Sequence, residues 1–286
     1  MADRPHFKAV NAPEELVDEL RAGRPRPLVE WLIDGIEDEH TKALLIHDFI
    51  ATHFSYNVAG ENDLEGMALI CCGYASLMGQ LCELAGVECE IVSGYARGRG
   101  FHIFGEESFS VNHDYIALKI EGRWRLVDPT WSAGYIGDDG VFHPRYSSDY
   151  FCLSPEGFIH THYPSDPRWQ LLEVPLSWEQ FERLPFLKGR FFKNGLQLMT
   201  RLEKINRVDS CAFKLKLRVK AGTEVMLKLI EEGGTVVFKE VPKLEDSVLD
   251  FDLRFPRRGK RYILEIYTRT DGEAKFWEAG EVGFVT

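Results

Sequence analysis

No apolar run in the chain approaches the roughly 20 residues needed to cross a bilayer. The first residues, MADRPHFKAV, lack the apolar stretch of a secretory leader. Basic residues are in the minority, 34 against 45 acidic, for a net charge of −11. That balance offers no electrostatic footprint for nucleic acid or for an anionic membrane surface, so neither is expected as a partner. Cysteine is sparse: six, at positions 71, 72, 82, 89, 152 and 211, with no CxxC pair. A disulfide scaffold and a zinc ribbon are thereby excluded. Reduced thiols in a cytoplasmic setting are expected instead, with no metal and no organic cofactor. Repeats and low-complexity tracts are absent, and 44% hydrophobic residues exclude disorder as the main description.

What is present divides near residue 188. At about 150 residues per domain, the length accommodates two. In 1–188 helical spacing dominates at the start. Pro13 to Leu20 opens with proline and acids, a good helix start. Thr41 to Phe54 sets Leu44, Leu45, Phe49 and Ile50 on one face, with His47 and His53 as packing or capping residues. In 189–286 the pattern becomes short alternating runs: 212–219, 225–230, 236–241, 248–255, 261–268 and 280–285. Ala221-Gly222, Gly233-Gly234 and Asp271-Gly272 punctuate them. This predicts an immunoglobulin-like β-sandwich of about seven strands, a scaffold or a docking surface for a protein partner.

The chemistry concentrates between Leu64 and Gly134. Cys71-Cys72-Gly73-Tyr74-Ala75 precedes Leu77, Met78, Leu81 and Leu84, the stripe of an amphipathic helix that Gly86 ends. A thiol at a helix N-terminus has its thiolate favoured by the dipole, which suits a nucleophile. Val87 to Tyr95 alternates as a strand. His113 to Ile120, the turn Glu121-Gly122 and Arg123 to Asp128 predict a hairpin. It brings His113 and Asp128 together at its open end, where a carboxylate can orient an imidazole.

These segments resemble the transglutaminase-like superfamily. Its C-x-G-Y-A motif matches Cys71-Cys72-Gly73-Tyr74-Ala75. Its histidine strand, often H-A-W, reads His113-Asp114-Tyr115 here. Its D-x-T-W motif with a following glycine matches Asp128-Pro129-Thr130-Trp131 and Gly134. Ile46-His47-Asp48-Phe49-Ile50, Asp149-Tyr150-Phe151 and His162-Tyr163-Pro164 are similar to its kyphoscoliosis-peptidase branch, and the likeness covers about residues 40–185. It implies an α+β papain-like core, helices packed on an antiparallel sheet, with a catalytic Cys71, His113 and Asp128. Trp131 and Tyr115 would bind substrate as aromatic walls. Asp114 replaces a small residue, and either raises the imidazole pKa or points away along the strand. The Cys71 backbone N–H is a natural oxyanion donor. A second, side-chain donor is not legible: Asn62 and Trp31 are both open.

Such a triad performs thiol acyl transfer on protein or peptide amides. The branch points to peptidase-like hydrolysis; deamidation and transglutamination use the same residues. The alternative is a catalytically inactive adaptor that keeps the fold as a binding surface. A metal site built on Cys71, Cys72, His102 and His113 is disfavoured, because adjacent cysteines make poor tetrahedral geometry. Arg97-Gly98-Arg99-Gly100 is expected to be a flexible loop able to gate the cleft, with His102 solvated in it. His143, His160 and His162 are expected as surface or capping residues, and Lys193, Lys204 and Arg207 as a solvated face. Cys82 and Cys89 are expected in the core.

Overall fold

The computed structural model describes residues 4–137 and 139–286. They divide into two compact units. The first holds the chain up to Tyr95, Ser110–Pro155 and Pro164–Glu173; the second holds Ala96–Phe109, Glu156–Tyr163 and Val174–Thr286. The chain thus visits the second unit twice before remaining there.

The first unit begins with helices Arg4–Val10, Glu14–Arg21, Arg26–Ile33 and Glu39–His53. The last starts where Asp38 accepts the Thr41 N–H, one of the donors a helix start leaves unpaired. Its middle is buried all round, and the expected packing role of His47 holds: the ring lies 4.9 Å from that of Phe151. Beside it, Asp48 is 1% exposed yet charged in pattern. Its carboxylate accepts from the Tyr146 hydroxyl at 2.7 Å and faces His47 Nδ1 and His6 Nδ1 at 3.0 Å each. Burial opposes its ionisation, and these partners outweigh burial, holding its pKa below the ordinary value.

Within this unit, Phe151–Leu153, Arg123–Val127, His113–Ile120 and Cys89–Ala96 form successive antiparallel neighbours of one sheet. The predicted hairpin is present. Glu121 and Gly122 both have positive φ (51° and 72°), as a two-residue turn matched to strand twist requires. Helix Cys71–Leu84 packs against the sheet, with Ile116 beside Gly79. Its buried stripe includes Tyr74, Leu77, Met78, Leu81 and Cys82. The stop at Gly86 is a Schellman closure: Val87 N–H donates to Cys82 O and Gly86 N–H to Glu83 O.

The second unit is built on two sheets. In one, Phe186–Leu187, Trp277–Val285, Arg261–Thr270, Thr223–Glu231 and Thr235–Glu240 lie in that order, and Ile205–Arg207 pairs parallel to Trp277–Val285. In the other, Gln197–Leu198, Ala212–Arg218 and Val248–Arg254 are neighbours. A single apolar cluster, including Leu215, Leu217, Leu227, Leu229, Leu264, Ile266 and Phe284, fills this β domain. The long strands are those the alternation indicated. The segments at 186–187, 197–198 and 205–207 are too short to carry a periodicity.

Four expectations need correction. Arg97 does not belong to a flexible loop. Only Gly98 to Gly100 are exposed, and Arg97 is 1% exposed. Its guanidinium pairs with Glu107 (2.9 and 3.1 Å) and donates to the carbonyls of His160, Phe181, Glu182 and Leu184. It also lies 4.3 Å from the Phe181 ring centroid. Lys204 is not on a solvated face either. It is buried, donating to Glu107 Oε1 at 2.7 Å. His162 is buried against the Phe158 ring at 4.3 Å rather than at the surface. His160 is drawn inward to the Pro185 carbonyl at 2.8 Å, and burial pushes its pKa down to about 4, so it stays neutral. Arg97 and His160 are drawn inward by backbone carbonyls, Lys204 by a buried carboxylate and His162 by ring packing.

Replacing Arg97 with alanine leaves Glu107 with Lys204 as its remaining cation and takes the guanidinium donor from four carbonyls. Loss of one partner from a buried ion pair costs about 3–5 kcal/mol. Urea unfolding of Arg97→Ala is expected to show a loss of that size. A loss under about 1 kcal/mol, the level of an exposed pair, would refute the central role given to this pair.

Candidate active site

Cys71 is the first residue of its helix, and the first intrahelical bond runs from Tyr74 N–H to Ile70 O. The motif around it has local physical reasons. A Cβ at Gly73 would fall 2.0 Å from Asn62 Oδ1, so only glycine admits the asparagine amide there. The Tyr74 hydroxyl donates to the Phe54 carbonyl at 2.9 Å, tying the helix start to the preceding helix. Both cysteines of the pair are half-buried.

His113 begins its strand and Asp128 follows the last paired residue of the next, Val127. On one face of the hairpin the two are diagonal neighbours. His113 Nε2 lies 2.8 Å from Asp128 Oδ2. The other carboxylate oxygen accepts the N–H groups of Thr130 (2.8 Å) and Trp131 (3.1 Å), capping the short helix Pro129–Ala133. The D-x-T-W motif is therefore a cap, and its proline sits at the first helical position, where no N–H is needed. Asp128 N–H donates to the Tyr150 carbonyl at 3.0 Å. The Tyr150 ring packs edge-on against Trp131 at 5.0 Å. Tyr150 lies outside every motif, so this support had no signal in the sequence beyond its place in the Asp149-Tyr150-Phe151 stretch.

With Nε2 on Asp128, the remaining ring nitrogen of His113 is Nδ1. The Cys71 thiol is coupled electrostatically to the His113 side chain and to the Asp114 backbone. His113 and Asp128 are thus brought together, and Cys71 is coupled to the ring of His113. Burial of His113 opposes its protonation, but the Asp128 charge and hydrogen bond, then those of Cys71, raise its pKa to about 10. Burial of Cys71 works against thiolate formation. The hydrogen bond and charge of His113 outweigh it, with the Asp114 backbone contributing, and the thiol pKa falls below its ordinary value. Of the two readings of Asp114, the side chain points away: Ser93 Oγ donates to its carboxylate across the strand pair.

Trp131 is half-buried with its ring centroid 6.0 Å from that of His113, where a substrate wall can stand. Tyr115 is not so placed. It is 1% exposed, because both faces of its strand are covered, and it serves as packing rather than as a substrate contact. Trp31 packs against the helical core with Lys8 over its ring at 5.2 Å. Asn62 lies at the start of the Cys71 helix. Cys82 is buried and Cys89 half-buried, and burial raises both thiols, the latter to about 11.

The sign of these shifts gives a pH test. A lowered thiol pKa places the acid limb of Cys71 alkylation below the ~8.5 of a free thiol. In His113→Ala only burial and the Asp114 contacts remain, and the limb is expected to move upward. Asp128→Asn weakens the imidazolium and moves it in the same direction. Peptide-resolved mass spectrometry against pH measures all three. A limb identical in wild type and His113→Ala would show that the two groups are uncoupled.

The family model of the transglutaminase-like superfamily matches residues 26–129, and that of the KY-like, immunoglobulin-like domain matches residues 178–282. Kyphoscoliosis peptidase of Homo sapiens is 33% identical over 184 residues, 59% of this chain and 28% of its own length. Lim and transglutaminase domain protein ltd-1 of Caenorhabditis elegans is 29% identical over 61% of this chain and 24% of its own. Hillarin of Drosophila melanogaster is 28% identical over 60% and 23%. The chain spans about a quarter of the length of these relatives. Among solved structures, a TGase aligns over 53% of this chain and 38% of its own, at 20% identity and a TM-score of 0.29. A transglutaminase-like domain followed by a KY-like, immunoglobulin-like domain, with kyphoscoliosis peptidases among the similar proteins, supports a place for the chain in the kyphoscoliosis-peptidase-like branch of the transglutaminase-like superfamily.

Proposed function

We propose that the protein is a thiol acyl-transfer enzyme acting on protein or peptide amides, with Cys71 as nucleophile, His113 as acid and base, and Asp128 as the group that orients His113. The observation that carries this reading is a histidine held at Nε2 by a buried carboxylate, 2.8 Å away, and coupled to a Cys71 thiol whose pKa it lowers. The resting pair is a thiolate beside an imidazolium. The sulfur attacks the amide carbon, and the carbonyl electron pair moves to oxygen. The adduct collapses to a thioester as the imidazolium gives its proton to the departing amine. Neutral His113 then takes a proton from water, the hydroxide adds to the thioester, and the acid leaves with the thiolate restored.

Hydrolysis is the outcome favoured by the likeness to proteins named peptidases; an amine in place of water would give transglutamination, and a side-chain amide as donor would give deamidation. An inactive adaptor does not require a thiol with a lowered pKa beside an imidazole, and that shift favours the enzyme. Trp131 lines the substrate side of His113. The immunoglobulin-like domain is a surface for a protein partner. A reducing, cytoplasmic setting suits a nucleophile that must remain an unoxidised thiol.

Incubation with unfolded casein and a biotinylated alkylamine separates the outcomes. New peptide termini without biotin incorporation are expected, and they are expected to vanish in Cys71→Ala. Biotin incorporation that depends on Cys71 would assign transglutamination instead. Activity unchanged in Cys71→Ala would end the thiol-enzyme reading.

A further inference from the structure

We infer that Phe109, Tyr163 and Trp178 in the second unit, with the acidic groove beside them, form a docking surface for an extended proline-rich peptide that carries basic residues. This surface is separate from Cys71 and does not depend on the acyl-transfer reading.

Three rings stand together at the surface. Phe109 is 45% exposed, and Tyr163 and Trp178 are half-buried. Every pair meets edge to face: Phe109 and Tyr163 at 5.8 Å and 75°, Phe109 and Trp178 at 5.4 Å and 67°, Tyr163 and Trp178 at 5.3 Å and 84°. Phe181 is the floor. It is fully buried, 5.3 Å from Tyr163 and 5.2 Å from Trp178, with the Arg97 guanidinium against its ring. The strip Val174-Pro175-Leu176 is tied to the cluster by the Tyr163 hydroxyl, which donates to the Leu176 carbonyl at 3.2 Å. Val174 is 74% exposed. The helix Trp178–Arg183 opens with a capping box between Ser177 and Gln180, which fixes Trp178 at its first position. Rings held in this way lose little freedom when a ligand packs on them.

Beside the rings is an open groove of ≈ 340 Å³ lined by Glu179, Glu182, Arg183, Glu203, Lys204 and Ile205. The Lys204 charge is met from below by Glu107 at 2.7 Å. Three carboxylates therefore face the guanidinium of Arg183, and the exposed Arg201 reaches Glu203 at 3.5 Å. The groove adjoins the cluster: Glu179 follows Trp178, and after burial its charge is what raises the Tyr163 phenol pKa.

The occupant follows from these two features. Perpendicular rings leave shallow clefts between them, which compact apolar rings can fill. Proline is such a ring and brings no N–H group to desolvate. A proline-rich segment is already extended, with three residues per turn, so it docks on aromatic surfaces at little cost in order. The excess of negative charge alongside favours a basic residue next to the prolines and opposes an acidic one.

Fluorescence anisotropy on the full chain tests this with three labelled peptides. One is proline-rich with two arginines, the second has alanine for each proline, and the third has glutamate for each arginine. Saturable binding of the first is expected, weakened about tenfold or more in the second and third. Phe109→Ala and Trp178→Ala are each expected to weaken the first peptide by about tenfold. Phe109 is the more exposed of the two, so it keeps the result readable if Trp178→Ala does not fold. Glu182→Gln combined with Glu203→Gln is expected to cost about two- to fivefold and to flatten the loss of affinity with added salt. Alkylation of Cys71 is expected to be unchanged in Phe109→Ala.

Equal binding of the proline and alanine peptides would overturn the inference, as would full affinity in Phe109→Ala. Loss of binding in Trp131→Ala but not in Phe109→Ala would place the peptide in the Cys71 cleft and overturn it too. A dimer in sedimentation that Phe109→Ala dissolves would give the surface to a second copy of the chain instead.

Discussion

The charge of Asp128 is what the rest of the site depends on. Its carboxylate is fully buried, and a carboxylate out of water must be met by donors or become neutral. Among them are His113 Nε2 and the N–H groups of Thr130 and Trp131. The two backbone donors come from the helix that Asp128 itself starts, so the local fold and the charge require each other. The retained charge then raises the histidine pKa, and the protonated ring lowers that of Cys71. Each effect passes to the next through one hydrogen bond, from a motif at 128 to a thiol at 71.

The second unit solves a comparable problem with the opposite sign. Arg97 is a buried cation, matched by Glu107 and by carbonyls from two separate stretches of chain, at 160 and at 181–184. Lys204 reaches the same Glu107 carboxylate. Burial by itself would neutralise Glu107, and the two cations keep its pKa below the ordinary value. This network does no chemistry. It satisfies backbone groups that neither sheet can pair, and in doing so joins the 96–109 segment to the chain near 160, 182 and 204. A buried charge can therefore serve architecture in one unit and reactivity in the other, and only the neighbouring groups distinguish the cases.

Much of the frame was legible beforehand. The hairpin followed from alternation around Glu121-Gly122, the helix end from Gly86, and the β domain from its repeated short runs, because each depends on contacts close in sequence. The local settings of Cys71, His113 and Asp128 were legible because each is a short-range structural device: a helix start, a strand start and a helix cap. Tyr115 was misplaced because alternation marks a face and does not say whether another layer covers it. Arg97 was misplaced for a related reason. Its flanking glycines describe a loop correctly, but a guanidinium can leave the loop and satisfy carbonyls more than sixty residues away. Asp48 gave no signal of its buried role, since its partners His6 and Tyr146 lie far from it along the chain.

The sequence by itself determined the secondary structure of the central elements, the order of the three candidate residues and the kind of chemistry proposed for them. Periodicity, turn residues and capping residues act over a few positions, and that range is visible in a string of letters. Tertiary structure decided what those residues are in energetic terms. It placed an imidazole between a thiol 42 residues before it and a carboxylate 15 residues after it, turned Asp114 away, closed off Tyr115 and laid Asn62 across the helix start. Desolvation and charge–charge interactions depend on distance through space, so ionisation and access at this site exist only once the chain has folded.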